Sequence, residues 1–165
     1  MADPLSAKSY EMDPLERQVV DVFVDGVRVL GLPKSIGEIY GLLFISKDPL
    51  ALDDLVKRLQ ISKGSASQGL RMLKNLGAVR EISGERRTHY EPAIELKRLV
   101  GGFIREQVRP HLKSGKVKIN RLAETAQDIP DLEHRQFLSE RIERLEAWMS
   151  SGGKVLPILQ KILGQ

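Results

Sequence analysis

The feature that most constrains this chain is a pair of short apolar-striped segments with almost nothing between them. Leu52, Leu55, Val56 and Leu59 recur at helical spacing over a short element. Only Gln60 and Ile61 separate this element from Ser62, a residue suited to capping a helix whose inward positions are Ala66, Leu70 and Leu73 and whose end is Leu76-Gly77. Two helices joined so tightly must cross rather than run on. The pattern then switches to strand: Val79 to Ile82 and Thr88 to Tyr90 bracket a turn at Ser83-Gly84-Glu85. Helix, tight turn, helix and hairpin is the layout of a winged helix-turn-helix, a mainly α fold with a small β-hairpin wing.

The flanks read as helices. Asp13-Pro14-Leu15-Glu16 combines a cap, a first-turn proline and a capping-box glutamate, and predicts a helix to about Leu30 with Leu15, Val19, Val22, Phe23 and Val27 on its apolar side. Gly31 and Pro33 break it. Ser35 with Glu38 predicts a second capping box, opening a helix lined by Ile36, Ile39, Tyr40, Leu43 and Phe44. Lys47-Asp48-Pro49 reads as a turn. Beyond Glu91-Pro92, apolar residues from Ile94 through Leu99 and Phe103 to Leu112 trace a long amphipathic helix, interrupted at Gly101-Gly102 and bent near Pro110. Lys113 to Lys118 reads as a basic connection. From Pro130 to Met149, Leu138, Ile142, Leu145 and Met149 follow a 4-3-4 spacing, the seam of a short coiled coil. Ser150 to Gly153 is expected to end that helix before a last amphipathic one carrying Val155, Ile158, Leu159, Ile162 and Leu163. The expected organisation is a flexible acidic N-terminus over 1–12, a winged helix-turn-helix DNA-binding domain with its N-terminal helix over 13–92, and a helical dimerisation region over 93–165.

Charge is distributed unevenly. The whole chain carries 26 Lys and Arg against 22 Asp and Glu, a net +4, yet residues 1–25 hold two cations against six carboxylates. Residues 57–90 hold eight cations against two carboxylates, a net +6 that exceeds the excess of the whole chain. A basic surface on the helix-turn-helix and wing suits a polyanion, because cations that neutralise phosphates release condensed counterions. On the second short helix, with Ala66, Leu70 and Leu73 inward, Gly64, Gln68, Arg71 and Asn75 point outward. Gln68 and Asn75 have the groups that pair with adenine edges and Arg71 the fork that pairs with guanine, while Lys63, Ser65 and Ser67 suit phosphates. Gly64 and Gly69 weaken a helix, so each is expected to permit a close approach, either to a DNA backbone or to a neighbouring helix. Arg86 and Arg87 beside the hairpin tip are expected at a minor groove or its phosphates.

Catalysis and metal binding find no matching pattern. There is no cysteine, which excludes disulfides, thiolate ligands and thiol nucleophiles. His89, His111 and His134 are far apart and lack metal-site spacing. Ser114-Gly115-Lys116 and Gly152-Gly153-Lys154 are only fragments of a phosphate loop, and Asp53-Asp54 is explained by the dipole of the helix it opens. No enzyme, no cofactor and no metal are expected. No stretch approaches the length of apolar sequence that spans a bilayer and no secretory h-region follows Met1, so a cytoplasmic protein without membrane contact is expected.

Leu32-Pro33-Lys34-Ser35-Ile36-Gly37-Glu38-Ile39-Tyr40, Leu52 to Leu59, Ile61-Ser62-Lys63-Gly64-Ser65-Ala66-Ser67, Leu70, Leu73, Leu76-Gly77-Ala78-Val79 and Gly84-Glu85-Arg86-Arg87 together resemble the GbsR-type group of the MarR superfamily of winged-helix transcriptional regulators. The resemblance spans roughly residues 14–112 and implies a homodimeric DNA-binding repressor or activator. The apolar faces around Leu99, Phe103, Leu138, Ile142, Leu145 and Met149 exceed what one small winged domain covers, and a second copy would cover them; the alternative is that they fold back on their own chain. A two-fold dimer predicts a pseudo-palindromic operator in double-stranded DNA, with half-sites about ten base pairs apart. A ligand-responsive repressor is the expected function. The resemblance also implies a possible small-molecule effector of the quaternary amine class, for which Tyr40, Phe44 and Trp148 are the aromatic candidates; core packing is the competing role of the same residues. The rival functional class is a winged-helix module that binds protein in a chromosome-organising or transcription assembly.

Overall fold

A computed structural model describes residues 11–84 and 86–162. The chain divides between Leu99 and Val100 into two compact units. The first holds α1 (Pro14–Val29), α2 (Lys34–Ile45), β1 (Leu50–Ala51), α3 (Leu52–Leu59), α4 (Lys63–Asn75), β2 (Val79–Ser83) and β3 (Thr88–Pro92). After α5 (Leu96–Phe103), the second holds a π-helical segment (Ile104–Val108), α6 (Arg109–Gln127) and α7 (Leu132–Ile162). The result is the mainly helical architecture with a small antiparallel wing that the spacing predicts. Most of the acidic N-terminus lies outside the described residues.

The capping box at Asp13 forms as read: its Oδ1 accepts from the Glu16 N–H at 2.8 Å and Glu16 Oε2 accepts from the Asp13 N–H at 3.0 Å. The second expected box does not form. Helix α2 begins two residues earlier, after Pro33 in an extended conformation, with no side-chain cap, so Ser35 lies within its first turn. Glu38 instead pairs with Lys34 at 2.7 Å, the i,i+4 partner that competes for its carboxylate. Helix α2 is the core of the unit. Ile39, Leu42 and Leu43 are fully buried, as is Leu55 of α3. Gly37 and Gly41, one turn apart, face α1 so closely that a Cβ on either would stand within 3.0 Å of α1 backbone.

The wing has three strands rather than the two read from the sequence. β1, only two residues long, pairs antiparallel with β3 (Leu50 opposite Tyr90, Ala51 opposite His89), giving the order β1-β3-β2. So short a strand has no alternation to read; it exists because the chain leaving the turn at Pro49 lies along β3.

In the second unit, two expectations are corrected. Residues 113–118 are helical, not a connection: Leu112, Ile119 and Ala126 stand seven residues apart, Ile119 and Ala126 buried, and hold one helix through the basic run. Pro110 does not end the helix, because the preceding backbone widens into the π segment, where the Arg109 N–H donates to Ile104 O and no donor is asked of the proline. Likewise Ser150 to Gly153 do not break α7. The 4-3 seam stays in phase across them, from Ile142, Leu145 and Met149 through Gly152 to Leu156 and Leu159. α6 and α7 form a helical hairpin in which Gly115 admits the Met149 side chain, and the Asp131 carboxylate accepts from the His134 N–H at 2.9 Å to open α7. Part of the predicted seam therefore packs within its own chain.

Candidate nucleic-acid interface

Helix α4 starts at the Ser62 hydroxyl, which accepts from the Ser65 N–H at 3.0 Å and donates to the Ser65 hydroxyl at 2.9 Å. The chain enters it through Gln60, a left-handed residue at φ 55° that turns the backbone between α3 and α4. The inward set is as read, Ala66, Leu70 and Leu73 all being buried. Outward stand Lys63, Gly64, Ser65, Ser67, Gln68, Arg71 and Asn75, each exposed. The two glycines part company. A Cβ on Gly69 would run into the fully buried Ile39 side chain, so Gly69 serves the approach of α4 to α2, whereas a Cβ on Gly64 would meet only the Ser62 hydroxyl, at an ordinary contact distance of 3.9 Å.

The eight cations of the 57–90 window separate into two groups. Arg58 pairs with Glu16 at 2.5 Å, Lys74 with Glu81 at 2.5 Å, and Arg80 with Glu91 at 3.2 Å across the wing, each joining one element to another. Lys57 also has an interaction partner. Lys63, Arg71, Arg86 and Arg87 are exposed and form no ion pair among the described residues. The first group holds the unit together; the second carries uncompensated charge outward, on the start and middle of α4 and on the wing tip.

The wing loop runs from Gly84 to Arg87 and is closed by the Gly84 N–H donating to Arg87 O at 3.1 Å, which sets Arg86 and Arg87 at the end of the hairpin. Between α4 and the wing lies a groove lined by Ser67, Arg71, Lys74, Glu81 and Tyr90 over the apolar Leu52 and Leu70. Sequence reasoning missed Lys74: it lies on the same exposed side of α4, and its tie to Glu81 spans from helix to strand, a pairing with no local signature.

Tyr40 and Phe44 do come together, but with Phe23: the Phe23 and Tyr40 rings meet edge to face at 5.0 Å, and Phe44 lies 5.1 Å from Phe23. The Tyr40 hydroxyl donates to Ala93 O at 2.7 Å, and burial, reinforced by the Glu95 carboxylate, raises its pKa above the ordinary tyrosine value. Phe44 is half exposed, and Trp148, 70% exposed, belongs to the second unit. Leu99, Phe103, Leu138, Ile142 and Met149 are half-buried and Leu145 is 38% exposed. No group of three or more His, Asp or Glu side chains suited to a metal occurs among the described residues, and among them no helix is long and apolar enough to cross a membrane.

No family model matches the chain. It is 32% identical over 63 residues to the HTH-type transcriptional repressor GbsR of Bacillus subtilis (strain 168), a stretch that is 38% of this chain and 34% of GbsR. It thus spans about a third of the length of that relative. A crystal structure of a transcriptional regulator aligns with 90% of this chain and 99% of its own length, at a TM-score of 0.58 and 19% identity, and shares the fold. A looser likeness, at a TM-score of 0.39 and 14% identity, is to MepR, a transcription regulator of the Staphylococcus aureus multidrug efflux pump MepA. These GbsR-like and regulator-like matches are to transcription regulators, not enzymes, in line with the sequence-based expectation.

Proposed function

We propose that the chain is a homodimeric, sequence-specific DNA-binding transcription regulator, a repressor whose DNA affinity responds to a small ligand. The observation that carries this reading is the sorting of the eight cations of the 57–90 window: Lys63, Arg71, Arg86 and Arg87, which form no ion pair among the described residues, stand on α4 and the wing tip, with Gln68 and Asn75 exposed on the same helix. In this reading α4 enters a major groove, Gln68, Arg71 and Asn75 reach base edges, Lys63, Ser65 and Ser67 hold phosphates, and Gly64 lets the backbone come close. Arg86 and Arg87 lie at the adjacent minor groove. Two copies would present two such helices to successive major grooves about 34 Å apart, hence a pseudo-palindromic operator. A ligand binding one spacing of the two helices better than another would shift DNA affinity by that difference.

The test is a salt titration of binding to the DNA upstream of its own gene and to a scrambled duplex of equal length. Arg71→Ala should lower affinity for the first duplex about tenfold to a hundredfold, the worth of one bidentate base contact, and leave the second little changed. Equal or absent binding to both duplexes by the unaltered protein would overturn the reading in favour of a protein-binding module.

A further inference from the structure

The most one-signed surface of the molecule is not on the winged helix. From residue 107 to residue 123 there is no Asp or Glu, while Arg109, Lys113, Lys116, Lys118 and Arg121 supply five cations. All five are exposed on α6 and none forms an ion pair among the described residues. Arg109, Lys113 and Lys116 follow an i, i+4, i+7 spacing and so share one stripe, and from Arg109 to Arg121 the cations extend over about 18 Å of helix. Glu146 of α7 shares a depression with Lys113 and Lys116 without pairing with either. The adjoining α7 is built differently: Glu133, Glu140, Glu143 and Glu146 alternate with Arg135, Arg141 and Arg144. Cations concentrated on one helix and not tied into ion pairs repel one another, and a helix interior gains nothing from that repulsion. Their arrangement is explained by an external polyanion.

We infer that the α6 face bearing Arg109, Lys113 and Lys116 is a second phosphate-binding surface, which grips the backbone of duplex DNA without reading its sequence, in addition to α4 and the wing. The inference rests on the DNA-binding reading above. Duplex DNA fits better than a lipid surface. A helix that lies on a membrane needs an apolar face to insert, whereas Ile119 and Ala126 of α6 are buried and the exposed Val117 and Leu122 stand apart on the helix circumference. It also fits better than a base-reading contact, because lysines at long reach act as point charges on phosphates.

The test uses the full chain and the same pair of duplexes, comparing the unaltered protein with the triple variant Arg109→Gln, Lys113→Gln, Lys116→Gln and with Arg144→Gln on α7 as control. Each phosphate left without its cation lowers the slope of log affinity against log salt by about 0.9, so the triple variant should lose about 2 to 3 from the slope per protomer, with equal fold-losses on the two duplexes and an unchanged circular dichroism spectrum. Arg144→Gln should keep the slope. Arg71→Ala changes the ratio between duplexes instead, which separates the two surfaces. Selective binding by the unaltered protein with the same salt slope in the triple variant overturns the inference and leaves the proposed function standing. Failure of the unaltered protein to bind either duplex overturns both. A triple variant that keeps its DNA slope but loses binding to phosphatidylserine vesicles replaces the duplex with a lipid surface.

Discussion

Helices α2 and α7 differ sharply in what they do with their apolar residues. Seven of the twelve residues of α2 are buried, and α1, α3, α4 and the wing are arranged around it. Among the described residues of α7, thirty-one positions long, none is fully buried, although Leu145, Trp148, Val155, Ile158, Leu159 and Ile162 are large and apolar. The first unit completes its core by itself. The second pairs α7 with α6 on one side and leaves the remainder of a heptad stripe facing outward, more apolar helix surface than an isolated soluble chain ordinarily shows. In the proposed homodimer a second copy would cover α7, so that local folding and assembly would draw on separate stretches of the chain.

Making α7 polar where it is already exposed tests this division most severely. Leu145→Lys should leave the winged-helix unit folded and convert a dimer of twice 18.5 kDa into a monomer of 18.5 kDa by light scattering. With two linked reading helices reduced to one, affinity for a two-half-site operator should fall about a hundredfold or more. An unaltered protein that already sediments at 18.5 kDa would show that α7 is covered by something other than its own copy. In the first unit, the corresponding insult is steric. Gly69→Ala forces a Cβ onto the Ile39 side chain and should cost about 1–3 kcal/mol in urea denaturation, whereas Gly64→Ala, whose Cβ would make only an ordinary contact with the Ser62 hydroxyl, should gain up to about 1 kcal/mol from helix propensity. If the two alanines act alike, the tight approach of α4 to α2 is wrong.

A finer probe reaches the interior of the first unit. Tyr40→Phe leaves the Ala93 carbonyl without its donor and should cost about 1–2 kcal/mol. The pKa of Tyr40 is raised in the folded state, so the unfolded chain loses the phenolic proton first as pH climbs. Stability from this group is therefore complete below the ordinary tyrosine value and declines as pH rises through the folded one. The alkaline decline should be shallower in Tyr40→Phe, and equal declines in both proteins would assign it to other groups.

How much of this was legible depends on whether the signal was local. The Asp13 capping box, the Ser62 cap, the three inward residues of α4 and the wing hairpin were readable because each is set within a few residues. Strand β1 was not, since Leu50 and Ala51 are strand only because β3 lies beside them. The helix through residues 113–118 was hidden by its own cations, and the heptad formed by Leu112, Ile119 and Ala126 was the signal that would have revealed it. The exposed residues of α4 were legible as soon as the inward face was known, but the division of the window's cations into tethered and untethered was not, because Arg58 reaches Glu16 from forty-two positions away.

Leu50 and Ala51 of strand β1 sit immediately before α3 and hold the backbone of β3, whose other neighbour leads into the wing loop. Lys74 and Glu81 close the same frame from the far end of α4. Helix α4 and the wing tip are thus joined through one frame, like the two jaws of a caliper. In the proposed complex with DNA, a duplex with altered distance between adjacent grooves could not be met by moving one jaw alone, so groove spacing itself would become a quantity this unit measures.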